Sequence, residues 1–309
     1  MEKDGKVFIA GHQDMVGSAI LRCLERNGFT NLVTRTTSEL DLTNQKAVLD
    51  FFMGEKPGYV FLAAAKVGGI LANSRYPAEF IYSNLQSQNN VIHSAWKSGV
   101  KKLLFLGSSC IYPKECPQPM KEEYLLSGKL EPTSEPYAIA KIAGVKMCQS
   151  YNFQYRTNYI CAIPADLYGP NDDFDPETSH VLPALIRKIH QAKTRNEDKV
   201  TVWGTGSPRR EFLHVDDLAD ACVFLMSNYQ SSELINVGFG EDITVRELAL
   251  LINDAVGFKG RLVFDGSKPD GAPQKLLDSS RLRKIGWTPK IGLRQGIKQT
   301  YEWYKEHLK

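Results

Sequence analysis

A tyrosine and a lysine four residues apart are the side chains of this chain whose spacing best suits chemistry. Tyr137 and Lys141 stand in the segment Tyr-Ala-Ile-Ala-Lys, and residues at i and i+4 share one face of a helix. There an ammonium group can hold the phenol in a protonation state useful at neutral pH, although a free phenol has a pKa of about 10. A hydroxyl at a strand end, such as that of Ser108, can polarise the carbonyl that the tyrosine protonates. The pattern therefore predicts an oxidoreductase that interconverts a ketone and an alcohol.

The elements that must position these side chains follow an alternating pattern in the first half of the chain. Short apolar runs predict strands at 7–10, 31–35, 59–63, 102–106 and 157–163. Helical patterns lie between them at 16–27, 45–53, 78–98 and 137–154. This alternation predicts an α/β fold, a Rossmann-type doubly wound parallel sheet with helices on both faces. Ligands of such sheets bind beyond the carboxyl ends of the strands, so the segments that follow the strands should converge on one crevice.

The first predicted strand runs into a loop that contains Gly11 and Gly17. The helix that begins near Val16 offers free N–H groups to a pyrophosphate. The glycine fingerprint is incomplete, because Asp14 stands at its middle position and its carboxylate must turn away from the phosphates or weaken binding. A purely structural turn is the alternative. Together with the Tyr/Lys pair and Ser108 at a strand end, however, the loop favours a dinucleotide site.

The end of the second predicted strand indicates which dinucleotide is bound. A carboxylate there would bind the ribose 2′-hydroxyl of NAD, whereas an arginine would accommodate the 2′-phosphate of NADP. Arg35 ends this strand, and no acidic residue follows before Glu39. The sequence therefore favours NADP(H), the alternative being that Arg35 is only a solvated strand-end residue. Asp41 and Leu42, a little further on, are placed to contact the adenine ring.

The second half of the chain is less regular, which predicts a smaller substrate-binding lobe. Helices are predicted at 180–193, 216–227, 245–256 and 293–308, and strands at 200–203, 212–215 and 262–264. We expect residues 1–165 to form the NADP-binding domain, with 212–238 returning to it. Residues 166–211 and 239–309 then form the C-terminal lobe.

Charge and composition argue against several other classes of protein. The chain has 38 basic and 35 acidic residues, and this balance does not predict nucleic-acid binding. Its first residues carry neither the pattern of a secretory signal nor that of a membrane span. The six cysteines include no C-x-x-C pair, so we expect reduced thiols in a cytoplasmic protein and assign no metal site.

Several stretches of the chain resemble the GDP-L-fucose synthase family of extended short-chain dehydrogenase/reductases. They are residues 63–70, 106–113, 135–141, 179–181, 202–206, 210–217 and 267–271, so the resemblance covers essentially the whole chain. The Tyr/Lys pair is generic to the superfamily, whereas Ser-Ser-Cys at 108–110 and Ser-His-Val at 179–181 are more specific. The resemblance implies a homodimeric enzyme that epimerises GDP-4-keto-6-deoxy-D-mannose at C3 and C5 and reduces it at C4 with NADPH.

The resemblance also implies catalytic roles. Tyr137 becomes the proton donor to O4, Lys141 its pKa partner and a ribose ligand, and Ser108 a further polar group on O4. Cys110 and His180 become the acid/base pair for epimerisation. A C4 ketone acidifies the hydrogens on C3 and C5, so an acid and a base on opposite ring faces can invert each centre through an enediolate. Taken alone, Cys110 is more typical of packing, and His180 of a turn or helix cap.

Binding residues follow from the resemblance and from the strand ends together. Lys188, Trp203, Arg210 and Asp270 look like the substrate contacts: basic residues suit a diphosphate, tryptophan offers a flat face and aspartate can bind hydroxyls. The alternatives are surface charges for Lys188 and Asp270, and core packing for Trp203. The predicted cofactor contacts are Gly11, His12, Gln13, Asp14, Met15, Val16, Gly17, Arg35, Thr37, Asp41, Leu42, Ala63, Ala64, Ala65, Leu106, Gly107, Lys141, Pro164, Ala165, Asp166, Leu167 and His180.

The chain departs from the family pattern at a few positions. Family members carry glycine in place of Asp14, basic residues in place of Gln13 and Thr37, and Thr-Asn in place of Ala165-Asp166. The first three changes affect positions that are expected to bind the cofactor. The last lies on the nicotinamide side of the crevice.

Two other functions stay open at this point. One is a C4-reductase for a related GDP-4-keto sugar, a deoxyheptose or dideoxy sugar, with little or no epimerase activity. Cys110 and His180 favour the epimerase/reductase, while Ala165-Asp166 leaves room for the reductase. The other is a non-catalytic protein that senses NADP or a nucleotide sugar, which would need no proton donor such as Tyr137. We expect any dimer to form through the helices at 78–98 and 137–154.

Overall fold

A computed structural model describes residues 1–268 and 270–307 and confirms the predicted α/β fold. The strands are β1 Val7–Ala10, β2 Leu32–Val33, β3 Tyr59–Leu62, β4 Lys102–Leu106, β5 Tyr159–Pro164, β6 Asp166–Tyr168, β7 Lys199–Trp203, β8 Arg209–His214, β9 Ile235–Val237, β10 Asp242–Thr244, β11 Arg261–Asp265 and β12 Gln274–Lys275. The helices are α1 Met15–Arg26, α2 Gln45–Glu55, α3 Ile70–Arg75, α4 Pro77–Lys97, α5 Glu135–Tyr155, α6 Val181–Thr194, α7 Val215–Asn228, α8 Val245–Val256, α9 Ser280–Lys284 and α10 Leu293–His307. Pro269 and Leu308, which the sequence analysis placed in the 267–271 stretch and the last helix, lie outside the described residues.

Six parallel strands form the main sheet, in the order β2-β1-β3-β4-β5-β9. Every residue of β1, β3, β4 and β5 is buried, as expected for a parallel sheet covered on both faces. Helices α1 and α7 pack against each other, and α2, α4 and α5 pack into a second layer. The strand order reverses at β1, and the carboxyl ends on either side of such a reversal bound the ligand crevice of this fold.

Helix α1 illustrates how the sequence produces these layers. Its buried residues, Gly17, Ala19, Ile20, Cys23 and Leu24, recur at the spacing that puts apolar side chains on one helical face. That face packs on the sheet and on α7. The N-terminus of α1 is thereby fixed directly beyond the carboxyl end of β1.

The C-terminal half adds two smaller sheets. Strand β8 lies between β10 and β12 and also pairs with β6, while β7 pairs with β11. A second cluster of buried apolar side chains from α6, α8 and α10 packs beside them, separate from the cluster in the main sheet. The division of the chain into two domains near residue 165 stays a prediction. Within residues 212–238, which we expected to return to the main sheet, β9 pairs with β5 of that sheet. Phe212, in contrast, belongs to β8 of a smaller sheet.

None of the helices in the described part of the chain is both long enough and apolar enough to cross a membrane.

Candidate active site

A cleft of about 630 Å³ lies between the carboxyl edge of the main sheet and the C-terminal half. Its walls bring together residues that are far apart in the sequence. The predicted catalytic residues Ser108, Cys110, Tyr137 and His180 line it, and so do all four predicted substrate contacts, Lys188, Trp203, Arg210 and Asp270. Lys141 lies behind Tyr137, one turn further along α5.

The Tyr137/Lys141 pair sits at the start of α5, where the side chains stack along one face as the spacing predicted. The Lys141 Nζ lies 5.8 Å from the centre of the Tyr137 ring and donates to the carbonyl oxygen of Leu106 at 2.9 Å. Only 3% of Lys141 is exposed, and this burial lowers its pKa to about 8, with Cys110 opposing the change. Burial raises the pKa of Tyr137, Cys110 adds to the rise and Ser108 opposes it. The phenol therefore stays protonated and can donate its proton.

Ser108 and Cys110 follow β4: Ser108 immediately precedes a short 3₁₀ turn, Ser109–Ile111, that contains Cys110. The Ser108 Oγ accepts a hydrogen bond from the backbone N–H of Cys110 at 3.4 Å, which caps the turn. Burial raises the pKa of the Cys110 thiol and Asp166 adds to the rise, while the Ser108 hydroxyl and the charges of Lys275 and Lys141 oppose it. Cys110 is therefore a neutral thiol at neutral pH.

His180 reaches the cleft from the opposite half of the molecule. It is the residue immediately before α6, and its side chain makes no capping hydrogen bond, so the imidazole is free to face the cleft. Desolvation by the cleft walls lowers the pKa of His180, although the residue is exposed to solvent; Asp166 opposes this effect and Lys275 adds to it. The helix N-terminus also favours the neutral ring. A thiol and a neutral imidazole thus face the same space.

The turn between β1 and α1 has the shape that a dinucleotide pyrophosphate requires. Gly11 has a φ of +86°, and a Cβ there would lie 2.8 Å from the Ala64 backbone. A Cβ at Gly17 would lie 2.0 Å from the Gly11 carbonyl oxygen. In addition, the buried Nδ1 of His12 has no hydrogen-bond partner among the described residues. The residues present therefore fit the phosphates of NADP.

Asp14, which stands where the family has glycine, is exposed and has a φ of −79°. This conformation suits any residue, so the departure costs no backbone strain. The Asp14 side chain makes no hydrogen bond to the start of α1. Its carboxylate therefore lies free at the helix N-terminus.

The other predicted cofactor residues lie along the same edge of the sheet. Ala63–Ala65 follow β3, while Leu106 ends β4 and Gly107 follows it. Pro164 ends β5, Ala165 joins it to β6, and Asp166 and Leu167 begin β6. Arg35 lies two residues beyond β2, where its guanidinium forms an ion pair with Glu55 at 2.6 Å. The Asp41 carboxylate accepts hydrogen bonds from the backbone and hydroxyl of Thr43. The roles of Arg35 and Asp41 toward NADP stay predictions.

The predicted substrate contacts differ in how many contacts their side chains already make within the protein. Trp203 is 61% exposed, so the core-packing alternative is wrong, and Lys268 Nζ lies 5.6 Å above its ring. Both carboxylate oxygens of Asp270 accept hydrogen bonds from Thr205, at 2.7 and 2.8 Å. Asp270 therefore holds the turn beyond β7, while Arg210, half-buried at the start of β8, faces the cleft.

Sequence reasoning missed other residues of the cleft wall. Lys275 and Asn73 both line the cleft. They lie on a two-residue strand, β12, and on a helix of six residues, α3. Elements so short carry no readable periodicity, so the sequence offered no signal for either. Asp166, predicted only as a cofactor contact, also lines the substrate side of the cleft.

Comparisons with known proteins agree with this arrangement. The NAD dependent epimerase/dehydratase family matches residues 7–238. The chain is 64% identical over 308 residues to a putative GDP-L-fucose synthase 2 of Arabidopsis thaliana, covering 100% of this chain and 94% of the relative. It is 55% identical to a GDP-L-fucose synthase of Escherichia coli strain K12, covering 98% and 97%. A solved GDP-mannoheptose C4 reductase from Campylobacter jejuni with NADP bound is similar, with a TM-score of 0.91, 44% identity and 99% of each chain covered.

Proposed function

The chain belongs to the NAD dependent epimerase/dehydratase family, and we propose that it converts GDP-4-keto-6-deoxy-D-mannose to GDP-L-fucose. The protein is an NADP-dependent enzyme that acts as epimerase and reductase. The observation that carries the proposal is one cleft that holds a Tyr/Lys pair together with Cys110 and His180. A reductase alone needs only the Tyr/Lys pair. The identity of the substrate is inferred from the GDP-L-fucose synthases among the relatives of this chain.

Epimerisation relies on the C4 carbonyl. When a base removes the hydrogen from C3 or C5, the negative charge passes to O4, where the hydroxyls of Tyr137 and Ser108 stabilise it. An acid then returns a proton to the opposite face of the ring, which inverts the centre. Transfer of the Cys110 proton to His180 would produce one base and one acid from the two neutral groups of the free site.

Reduction at C4 fixes the epimerised product. When bound, NADPH supplies a hydride to C4. Tyr137 gives its phenolic proton to O4, and Ser108 holds O4 in place. Lys141, which is charged below a pKa of about 8, stabilises the phenolate that remains, because opposite charges attract strongly where water is excluded.

The turn between β1 and α1 would hold the cofactor. Backbone N–H groups at the start of α1 would bind the pyrophosphate, and His12 could donate or accept a hydrogen bond with its unpaired Nδ1. Lys141 would bind the ribose next to the nicotinamide. Arg35 would reach the 2′-phosphate from its ion pair with Glu55.

We also propose that the protein is cytoplasmic and forms a homodimer. All six cysteines are unpaired, which supports a reducing compartment. Tyr82 on α4 and Phe153 on α5 are 65% and 80% exposed. Exposed large apolar side chains on two adjacent helices support a dimer interface. The molecular mass of the protein in solution, measured by sedimentation equilibrium, would test this proposal.

The decisive experiment supplies the purified protein with NADPH and GDP-4-keto-6-deoxy-D-mannose. We expect a loss of NADPH absorbance and GDP-L-fucose as the product, identified by NMR. In D₂O without NADPH, deuterium should enter C3 and C5. A C4-reduced sugar that keeps its configuration at C3 and C5 would instead identify the protein as a simple C4-reductase. Absence of NADPH oxidation with any GDP-4-keto sugar would leave the sensing function.

A further inference from the structure

Asn73 is a buried amide with one unpaired atom at the wall of the cleft. It lines the cleft, yet only 5% of its surface is exposed. Its Nδ2 donates to the carbonyl oxygens of Gly68 and Gly69, at 2.7 and 3.1 Å. Its Oδ1 is buried and accepts no hydrogen bond from any described residue. Because both amide hydrogens are directed at carbonyls, the unpaired atom must be the oxygen, an acceptor.

The segment that Asn73 fixes is bonded to the wall that carries His180. The backbone N–H of Gly69 donates to the carbonyl oxygen of Thr178 at 2.7 Å, two residues before His180. A Cβ at Gly69 would also lie 2.7 Å from the Ser179 carbonyl oxygen, so the two backbones are in direct contact.

The same segment touches the wall that carries Tyr137. A Cβ at Gly68 would lie 3.2 Å from the Cζ of Phe80, and the Phe80 ring packs edge-on against Tyr137 with centroids 6.2 Å apart. Asn73 therefore lies at the reacting end of the cleft, between its two catalytic walls. A ligand group that meets it belongs to the sugar and not to the nucleotide.

The sugar of the proposed substrate offers only two donors. C1 bears the diphosphate, C4 the carbonyl and C6 is a methyl group, so hydroxyls remain on C2 and C3 alone. We propose that Oδ1 of Asn73 accepts a hydrogen bond from one of these hydroxyls and so holds C4 toward Tyr137. This inference rests on the proposed function. A buried acceptor without a partner is unfavourable, and the small side-chain adjustment that opens it to the sugar is common on binding.

The test pairs removal of the side chain with removal of the hydroxyl. Wild type, Asn73→Ala and Asn73→Ser are compared on GDP-4-keto-6-deoxy-D-mannose and on its 2-deoxy and 3-deoxy analogues, by kcat/KM for NADPH oxidation. We expect wild type to prefer the full substrate over one analogue by about tenfold more than the variants do, since one hydrogen bond is worth roughly that factor. Because each preference is a ratio within one preparation, a poorly folded fraction cancels.

Asn84 provides the matched control. It is 3% exposed and braces the same segment, but its amide is fully engaged with Lys66 and the Phe80 carbonyl. Asn84→Ser should keep the wild-type preference even if it lowers the melting temperature. Wild-type preferences for both analogues in the Asn73 variants would overturn the assignment of Asn73. A wild type that oxidises NADPH with none of the three sugars would overturn the proposed function and this contact together.

Discussion

Tyr137 and Lys141 acquire their chemistry from burial as much as from their spacing. Because the pKa of Tyr137 is raised, the phenol gives up its proton only when negative charge develops on the substrate oxygen O4. The nearby ammonium, held by the Leu106 carbonyl at 2.9 Å, compensates when the proton leaves. The i, i+4 pattern predicted that the side chains share a helix face, but the burial that sets their pKa values depends on β4 and α4, far away in the sequence.

Tyr137→Phe should remove most of the reduction while leaving epimerisation largely intact. O4 loses its proton donor, and general acid/base groups typically contribute about 10²–10⁴-fold. Ser108 still stabilises negative charge on O4, so hydrogen exchange at C3 and C5 continues. The measurements are the rate of NADPH oxidation and deuterium uptake from D₂O without NADPH.

Cys110→Ala and His180→Ala are the complementary variants for that experiment. In each, exchange at the ring carbons should collapse. NADPH binding, followed by fluorescence quenching, should stay close to that of wild type in Cys110→Ala and weaken only slightly in His180→Ala, because His180 is one of many predicted cofactor contacts. Near-normal NADPH oxidation by Tyr137→Phe would show that another residue protonates O4.

Asp14→Gly should tighten NADPH binding. The exposed carboxylate lies at the start of α1 without a capping hydrogen bond, next to where the pyrophosphate would bind. Like charges repel by about 1 kcal/mol at 4 Å in water and more where water is excluded. Asp14→Asn should recover part of the gain, and the difference should shrink with added salt, because exposed charges are screened over roughly 10 Å at 0.1 M. An unchanged or higher Kd for Asp14→Gly would mean that the carboxylate points away from the phosphates.

At the scale of elements, the sequence predicted those long enough to show periodicity. Strands β1, β3, β4 and β5 and the long helices lie close to where apolar runs and i, i+4 patterns predicted them, because each buries apolar side chains. Strand β2 is shorter than the predicted 31–35, and β9 of the main sheet was not predicted. Helix α3 and strands β6, β10 and β12 have two to six residues and form only through tertiary contacts. Part of the cleft wall is built from these elements, so Asn73 and Lys275 escaped prediction while Tyr137 and Lys141 did not.

Gly17→Ala tests the close approach of α1 to β1. A Cβ at this position would lie 2.0 Å from the Gly11 carbonyl oxygen and 2.8 Å from the His12 backbone nitrogen, so the methyl group has no space. Helix α1 must move outward, which should destabilise the protein by about 1–3 kcal/mol or more and weaken NADPH binding at least tenfold. Thermal unfolding and titration with NADPH measure the two effects.

Gly54→Ala is the control for helical glycine replacement. Gly54 lies in α2, and a Cβ there meets nothing within 4 Å. Alanine is favoured over glycine within helices by about 1 kcal/mol, so this variant should keep or raise the melting temperature and bind NADPH as wild type does. A Gly17→Ala protein that behaved like Gly54→Ala would show that the turn between β1 and α1 can rearrange without loss of stability or of NADPH affinity.

At the scale of the whole molecule, Glu211 joins the elements that border the cleft. Its side chain is 2% exposed on β8 and accepts hydrogen bonds from the backbone N–H groups of Gly240 at 2.6 Å and Leu277 at 2.8 Å. Gly240 follows β9 of the main sheet, and Leu277 follows β12, which carries Lys275. One carboxylate therefore ties the main sheet to both strands that present Arg210 and Lys275 to the cleft.

We expect Glu211 to make the stability of the protein depend on pH. Burial raises its pKa to about 7 from its usual value of 4.5, although the N–H groups of Gly240 and Leu277 oppose the rise. Between these two values the folded state binds more protons than the unfolded state, so the stability that Glu211 contributes is complete below about pH 4.5 and is lost as the pH rises through about 7. Glu211→Gln should remove this slope.

Glu211→Gln should also lower stability at every pH, because one amide N–H would then face a backbone N–H and leave a buried donor unpaired, at a cost of about 1–3 kcal/mol. The measurement is the melting temperature of wild type and variant from pH 5 to 8. The deficit of the variant should be largest at pH 5 and smallest at pH 8. Exposed Glu241 supplies the control, since Glu241→Gln should follow the wild-type curve. A Glu211→Gln curve parallel to that of wild type would show that Glu211 is already ionised across this range, held as a carboxylate by its two N–H donors.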